Sequence, residues 1–251
     1  MILDEILQTT SERVAQIGDL SDIAPSYRHK SLRDAILSVH DRNAVIAELK
    51  YASPSTGSPG TSGEPEMIAR AMIAGGCTAL SVLTEPAFFL GSVEHLKKVK
   101  KCSFVPVLRK DFIIDIRQVY ETRALEADAI LLIAKILGNR LPAFVDLSRE
   151  LGLEPLVEVN TPEEAECALA SGADLIGINN RDLRTMETDL GTTRRLFPLL
   201  RGGGRLVVSM SGISTPDDIR YLSGSADAFL IGTAIMRSKN QKKCLEGFVF
   251  A

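Results

Sequence analysis

The sequence predicts an α/β chain folded as a (β/α)8 TIM barrel with an N-terminal helical extension. Three observations carry that expectation. Short apolar runs recur eight times, near 44–49, 79–83, 104–108, 129–133, 155–159, 174–178, 205–209 and 227–231. They are rich in Val, Ile and Leu and apolar on both faces, which is how strands of a helix-covered parallel sheet read. Segments with helical period lie between them, and the runs stop at polar, charged or glycine residues. Eight strand–helix units in about 210 residues fit the barrel. A doubly wound open sheet is the alternative, but it usually has fewer strands, and no Gly-x-Gly-x-x-Gly follows the first run here.

The elements have local reasons. In Pro65–Ala74, Ile68, Ala71 and Met72 share a helical face, and Gly75-Gly76 ends the helix. Thr161-Pro162-Glu163-Glu164 is a start signal: an N-capping threonine, proline in the first turn, and acids facing the helix dipole. Thr215-Pro216-Asp217-Asp218 repeats it. The whole chain, 1–251, reads as one barrel domain. Residues 1–43 read as one or two extra helices, roughly 1–17 and 31–41, packed over one end of the barrel.

Composition narrows the function classes. The net charge is −3 and no basic run occurs, which argues against a nucleic-acid partner. No apolar run approaches the roughly 18 residues of a membrane helix, and Met1–Glu5 lacks the basic and apolar regions of a signal peptide. Cys77, Cys102, Cys167 and Cys244 are widely spaced and read as reduced, mostly buried thiols of a cytoplasmic protein. His29, His40 and His95 lie far apart, away from the strand ends, so a histidine metal site or triad is not expected.

Chemistry gathers at the strand ends. Side chains alternate along a strand. Ile46, Glu48 and Lys50 therefore share a face, as do Leu108 and Lys110, and Leu156 and Glu158. With these faces inward, two lysines and two glutamates crown the C-terminal mouth, with Asn179 and Arg181 nearby. Such a set suits proton transfer on an anionic substrate. A lysine crowded by another cation in a dry pocket loses about 2–3 pKa units and becomes a usable acid or base. The same residues also read as rim ion pairs, a reading that weakens when all four stand on strand exits.

Ser211-Gly212 follows the seventh run and Gly232-Thr233 the eighth. Glycine admits close backbone approach, and this is the usual phosphate position in phosphate-binding barrels. The loop 51–63 is dense in Ser, Pro and Gly; it reads as a surface connection or as a mobile lid over the mouth.

Five motifs, in order, resemble the indole-3-glycerol phosphate synthase family. They are Glu48-x-Lys50-x-x-Ser53-Pro54-Ser55, Ser81-Val82-Leu83-Thr84-Glu85-Pro86-x-Phe88-Phe89, Leu108-Arg109-Lys110-Asp111-Phe112, Asn179-x-Arg181-Asp182-Leu183 and Ser209-x-Ser211-Gly212-Ile213. The similarity runs from about residue 43 to 236. The resemblance implies conversion of 1-(2-carboxyphenylamino)-1-deoxyribulose 5-phosphate to indole-3-glycerol phosphate, a step of tryptophan biosynthesis that needs no metal or organic cofactor. It implies Lys110 as general acid on the sugar carbonyl, and Glu158 and Lys50 in the later dehydration, with the division between the lysines open. Glu48 would orient Lys50. Asn179 and Arg181 would lie near the ring and its carboxylate, Phe112 and Leu131 would grip the ring, and Ser53, Ser211, Gly212, Gly232 and Thr233 would hold the phosphate.

One position departs from that pattern. The family usually has Glu between the two serines of the seventh-strand motif, and this chain has Met210. The loss of an acceptor there implies a Lys110 that is less well oriented or has a lower pKa than in the usual member. The partners expected are a phosphorylated small molecule, no nucleic acid and no membrane. The chain itself is read as a monomer or weak homodimer, with a tryptophan-pathway partner left open. Two other readings stay on the page. A related phosphosugar isomerase fits poorly, since it would use a Cys–Asp or Asp–Asp pair. A catalytically weakened barrel serving as a scaffold has Met210 as its support.

Overall fold

The computed structural model describes residues 2–20, 29–53 and 63–251. Eight parallel strands close into a barrel in sequence order, β1 through β8: Val45–Leu49, Ala79–Leu83, Val107–Lys110, Ala129–Ile133, Glu154–Val159, Leu175–Asn179, Leu206–Met210 and Ala228–Ile231. Closure is made where β1 pairs with β8, in the register Val45 with Phe229 and Ile46 with Leu230. Helices follow the strands, most of them covering the outside, in chain order α3 Pro65–Ala74, α4 Pro86–Phe89, α5 Val93–Cys102, α6 Ile116–Ala124, α7 Ala134–Leu137, α8 Leu141–Glu150, α9 Pro162–Ala170, α10 Gly191–Leu200, α11 Pro216–Leu222, α12 Thr233–Arg237 and α13 Gln241–Val249; α4 instead lies at the mouth. Two more, α1 Ile2–Val14 and α2 Leu32–Leu37, precede the barrel. No helix among the described residues is long and apolar enough to cross a membrane.

The interior is a separate apolar cluster that includes Ile46, Leu108, Leu131, Leu156, Val208 and Leu230. These are the inward positions of their strands, so the residue two further on faces the same way. The uppermost inward residues of the odd strands are therefore Glu48, Lys110, Glu158 and Met210. The opposite faces, such as Val45, Val107, Val157 and Val207, pack against the helices.

Several local expectations shift. The third strand begins at Val107 rather than near 104, and it includes Lys110. Pro106 has no N–H to donate, and Phe104 is exposed. The backbone N–H of Val107 is met instead by Asp128 Oδ2 at 2.8 Å. In α3 the buried face is Ile68, Ala69 and Met72, while Ala71 is half-buried, because α3 also leans on α5 and α13. Of the cysteines, which are all unpaired, only Cys77 is buried; Cys167 is exposed, since Ala165 and Ala168 hold the inner face of α9. The start signals work as read: Thr161 accepts from the N–H of Glu164, and Asp218 accepts from the N–H of Thr215 at 2.7 Å.

The two extra helices do not share one end of the barrel. Helix α2 closes the N-terminal end. Leu32 and Ile36 are buried in the interior cluster, and Glu154, at the start of β5, accepts from Ser31 Oγ and from the N–H of Arg33. Helix α1 lies at the C-terminal rim. Its Arg13 grips Asp111 just past β3, with Nη–O distances of 2.8 and 2.7 Å, and also reaches the Thr84 carbonyl past β2. Polar partners at both ends fix each helix where it lands.

Candidate active site

A cavity of about 440 Å³ opens at the C-terminal mouth, and each of the thirteen site residues named from sequence lines it. The charged side is built on β1, β3, β5 and β6. Lys110 Nζ stands 3.4 Å from Glu158 Oε2. Glu158 Oε1 accepts from Asn179 Nδ2 at 2.8 Å. Asn179 Oδ1 in turn accepts from the backbone N–H of Arg181 at 3.0 Å. Lys50 Nζ pairs with Glu48 Oε1 at 2.7 Å. Glu48 and Glu158 are each only 3% exposed, so an unpaired charge there would be costly.

Electrostatics follow from that pairing. Burial alone would depress the Lys110 ammonium, but Glu158 and Glu48 outweigh it and hold its pKa above the ordinary lysine value. Burial alone would raise the Glu48 carboxyl; Lys50 and Lys110 reverse this and keep it a carboxylate. The lysine is therefore not the depressed one that crowding by a second cation gives. Its closest charged contact is a carboxylate, and it stays protonated through neutral pH. Burial lowers the half-buried Arg181 guanidinium, which still remains a cation.

Met210 occupies the fourth odd-strand position and is 1% exposed. Its thioether lies over Gly177 of β6 and fills the interior beside the mouth. With Met210 in place, Lys110 still has a carboxylate partner in Glu158 and a pKa above the ordinary lysine value.

The last two strands contribute a different surface. Ser211 and Gly212 follow β7 with φ of +66° and +84°. The left-handed conformation at Ser211 costs roughly 1–2 kcal/mol for a non-glycine residue, so its surroundings must enforce it. A Cβ at Gly212 would also strike Thr188. Gly232, after β8, lies so close to Glu48 that a Cβ would sit 2.5 Å from its Oε1. Thr233 begins α12 beside it. Ser53 is buried at the same mouth. Residues 54–62, most of the loop read as connection or lid, are outside the described residues.

An apolar slot separates the two sides. Leu131 and Phe112 line it, and Phe89 faces Phe112 with ring centroids 6.0 Å apart and planes tilted by 40°. Phe89 was not singled out from sequence as a site residue. Its signal was Glu85, which accepts from the N–H groups of Ala87, Phe88 and Phe89 and bends the chain into the short helix α4.

Sequence reasoning also missed the support behind Lys110. Arg109, the next residue, points the other way and is fully buried. It donates to Thr84, Gln118 O, Thr122, Asp111 and Glu121. Asp111 accepts from Arg13, Arg109, Thr84 and the N–H of Phe112. Burial would raise this carboxyl, but the arginines and Thr84 bring it down to about 2. Charged groups are cheap to bury only when so fully paired.

A closed barrel with paired ammonium and carboxylate groups at its C-terminal mouth defines an acid–base enzyme of the (β/α)8 class. The chain belongs to the indole-3-glycerol phosphate synthase family, whose model matches residues 3–248. It is 41% identical over 260 residues to the indole-3-glycerol phosphate synthase of Carboxydothermus hydrogenoformans, covering 98% of each chain. It is 44% identical over 258 residues to that of Clostridium acetobutylicum, covering 99% of this chain and 97% of the relative. Among solved structures, the thiamine phosphate pyrophosphorylase from Pyrococcus furiosus aligns with a TM-score of 0.63 at 18% identity, over 87% of this chain and 96% of the other. That likeness is one of fold alone.

Proposed function

We propose that this chain is a carboxy-lyase that converts 1-(2-carboxyphenylamino)-1-deoxyribulose 5-phosphate to indole-3-glycerol phosphate. One carbon–carbon bond forms between the ring and the sugar carbonyl carbon, and one CO2 and one water leave. The observation that carries this reading is a protonated Lys110 held 3.4 Å from Glu158 in a cavity that also contains an apolar slot and two glycine-lined turns. Ring closure develops negative charge on the carbonyl oxygen. An ammonium fixed beside it stabilises that charge and delivers the proton.

Glu158, oriented by Asn179, then serves the dehydration as base, with Lys50 as acid and Glu48 holding Lys50. Phe112 and Leu131 grip the ring, and Arg181 meets its carboxylate. The phosphate lies against Ser53, Ser211, Gly212, Gly232 and Thr233. Every group named comes from one chain, so a monomer or weak homodimer suffices. The unpaired cysteines favour a reducing, cytoplasmic setting.

The test is direct. The phosphorylated substrate is added without metal and indole fluorescence is followed. Turnover is expected. Substrate binding without product would favour the scaffold reading instead.

A further inference from the structure

We infer that Asn180 is a positioning residue for the phosphate-facing turn, acting through the Ser211 carbonyl from behind the cavity wall. The inference rests on the phosphate reading above and assigns the group that shapes that end of the site. Asn180 follows Asn179, whose side chain faces the cavity. Alternation turns Asn180 outward, and it does not line the cavity.

Its amide is nonetheless completely engaged. Asn180 Nδ2 donates to Ser209 Oγ at 3.1 Å and to Ser211 O at 3.0 Å. Asn180 Oδ1 accepts from the N–H of Thr193 at 3.1 Å and from Thr193 Oγ1 at 2.8 Å. Thr193 Oγ1 and Ser209 Oγ lie 2.7 Å apart and close the ring of contacts. On the main chain, Asn180 N–H donates to Met210 O at 2.8 Å, and Asn180 O accepts from Asp189 N–H at 2.9 Å. Asn180 is 1% exposed, and Thr193 and Ser209 are fully buried. Both donors and both acceptor sites of the amide are used, which fixes its orientation.

The physical consequence lies one residue away. Ser211 adopts φ +66°, a conformation a serine rarely holds unaided, and Gly212 follows at +84°. These two residues line the cavity. The bond from Asn180 holds the Ser211 carbonyl back into the wall, which fixes the peptide planes on either side of it. An aspartate at 180 has the same shape but no donor, so it would face the Ser211 carbonyl with an unpaired oxygen. The turn then loses its support. The Lys110–Glu158 pair is on other strands and keeps its geometry.

The experiment measures steady-state turnover together with inhibition by two fragments of the substrate, inorganic phosphate and anthranilate. For Asn180→Asp, KM is expected to rise about tenfold with kcat within about threefold. Phosphate inhibition should weaken by a similar factor and anthranilate inhibition should be unchanged. Thr193→Val, a milder change, should shift KM and phosphate inhibition in the same direction by about threefold, with Thr193→Ser restoring both. It also reads the inference if Asn180→Asp fails to fold. Equal weakening of both inhibitors, a fall in kcat at unchanged KM, or no change at all overturns the inference. A parent enzyme without turnover strikes the functional reading; turnover in the parent with unselective variants strikes this inference alone.

Discussion

The two sides of the mouth are built from different materials. On β1, β3, β5 and β6 the cavity is lined by charged and amide side chains: Glu48 with Lys50 just beyond it, Lys110, Glu158 and Asn179. They are stabilised by one another at 2.7–3.4 Å. On β7 and β8 the cavity is lined instead by short residues and turns, Ser211-Gly212 and Gly232-Thr233, held by positive φ angles and close approach. The first side is set by charge balance and the second by backbone shape. A substitution on the first side should therefore change proton transfer, and one on the second should change binding.

The largest test of that contrast is Lys110→Ala. It should lower kcat by about 10³-fold while leaving the fold intact, because a single positioned proton donor with its charge contributes about 10²–10⁴. A loss smaller than tenfold, with thermal unfolding unchanged, would move the acid to Lys50.

The next effect concerns stability. Asp111 titrates near 2 in the folded chain against an ordinary 3.8. A depressed acid stabilises the fold above its unfolded pKa, and that stability is lost as pH falls through the folded one. The window is thus pH 3.8 down to about 2, and the group contributes roughly 2 kcal/mol. In urea titrations, Arg13→Ala should flatten this part of the stability curve. An identical curve would show that Arg109 and Thr84 alone hold Asp111.

On the backbone side, Gly212→Ala should raise KM about tenfold with little effect on kcat, because its φ and the contact with Thr188 exclude a Cβ. A fall in kcat alone would erase the distinction between the two sides. The smallest effect is expected for Met210→Glu. A further carboxylate on this rim would push the Lys110 pKa further up, so the alkaline limb of the rate profile should move upward with the rate changed only a few-fold. An unchanged profile and rate would identify position 210 as packing alone.

Some of this architecture is legible in the chain. Strands such as 79–83 and 129–133 appear as largely apolar runs because a sheet covered on both faces buries both sides of each strand; Ser81 is the one polar residue in these two. The inward residues follow from a period of two, which is why Glu48, Lys110 and Glu158 could be placed on one face. The third strand starts about three residues later than its apolar run, since Phe104 and Val105 carry strand-like side chains while Pro106 cannot donate to the ladder. The place of Phe89 in the cavity is not legible from the sequence, because it depends on the cap formed by Glu85.

What the sequence determined by itself was the number of strands, their inward faces and the charges at their exits, because these are encoded by neighbours two to four residues apart. Closure of the barrel decided the rest. Arg13 meets Asp111 across 98 residues, α2 seals the end opposite α1, and Asn180 joins Thr193, Ser209 and Ser211 behind the wall. Each of these contacts joins polar groups distant in the chain, and only the folded geometry selects the partner.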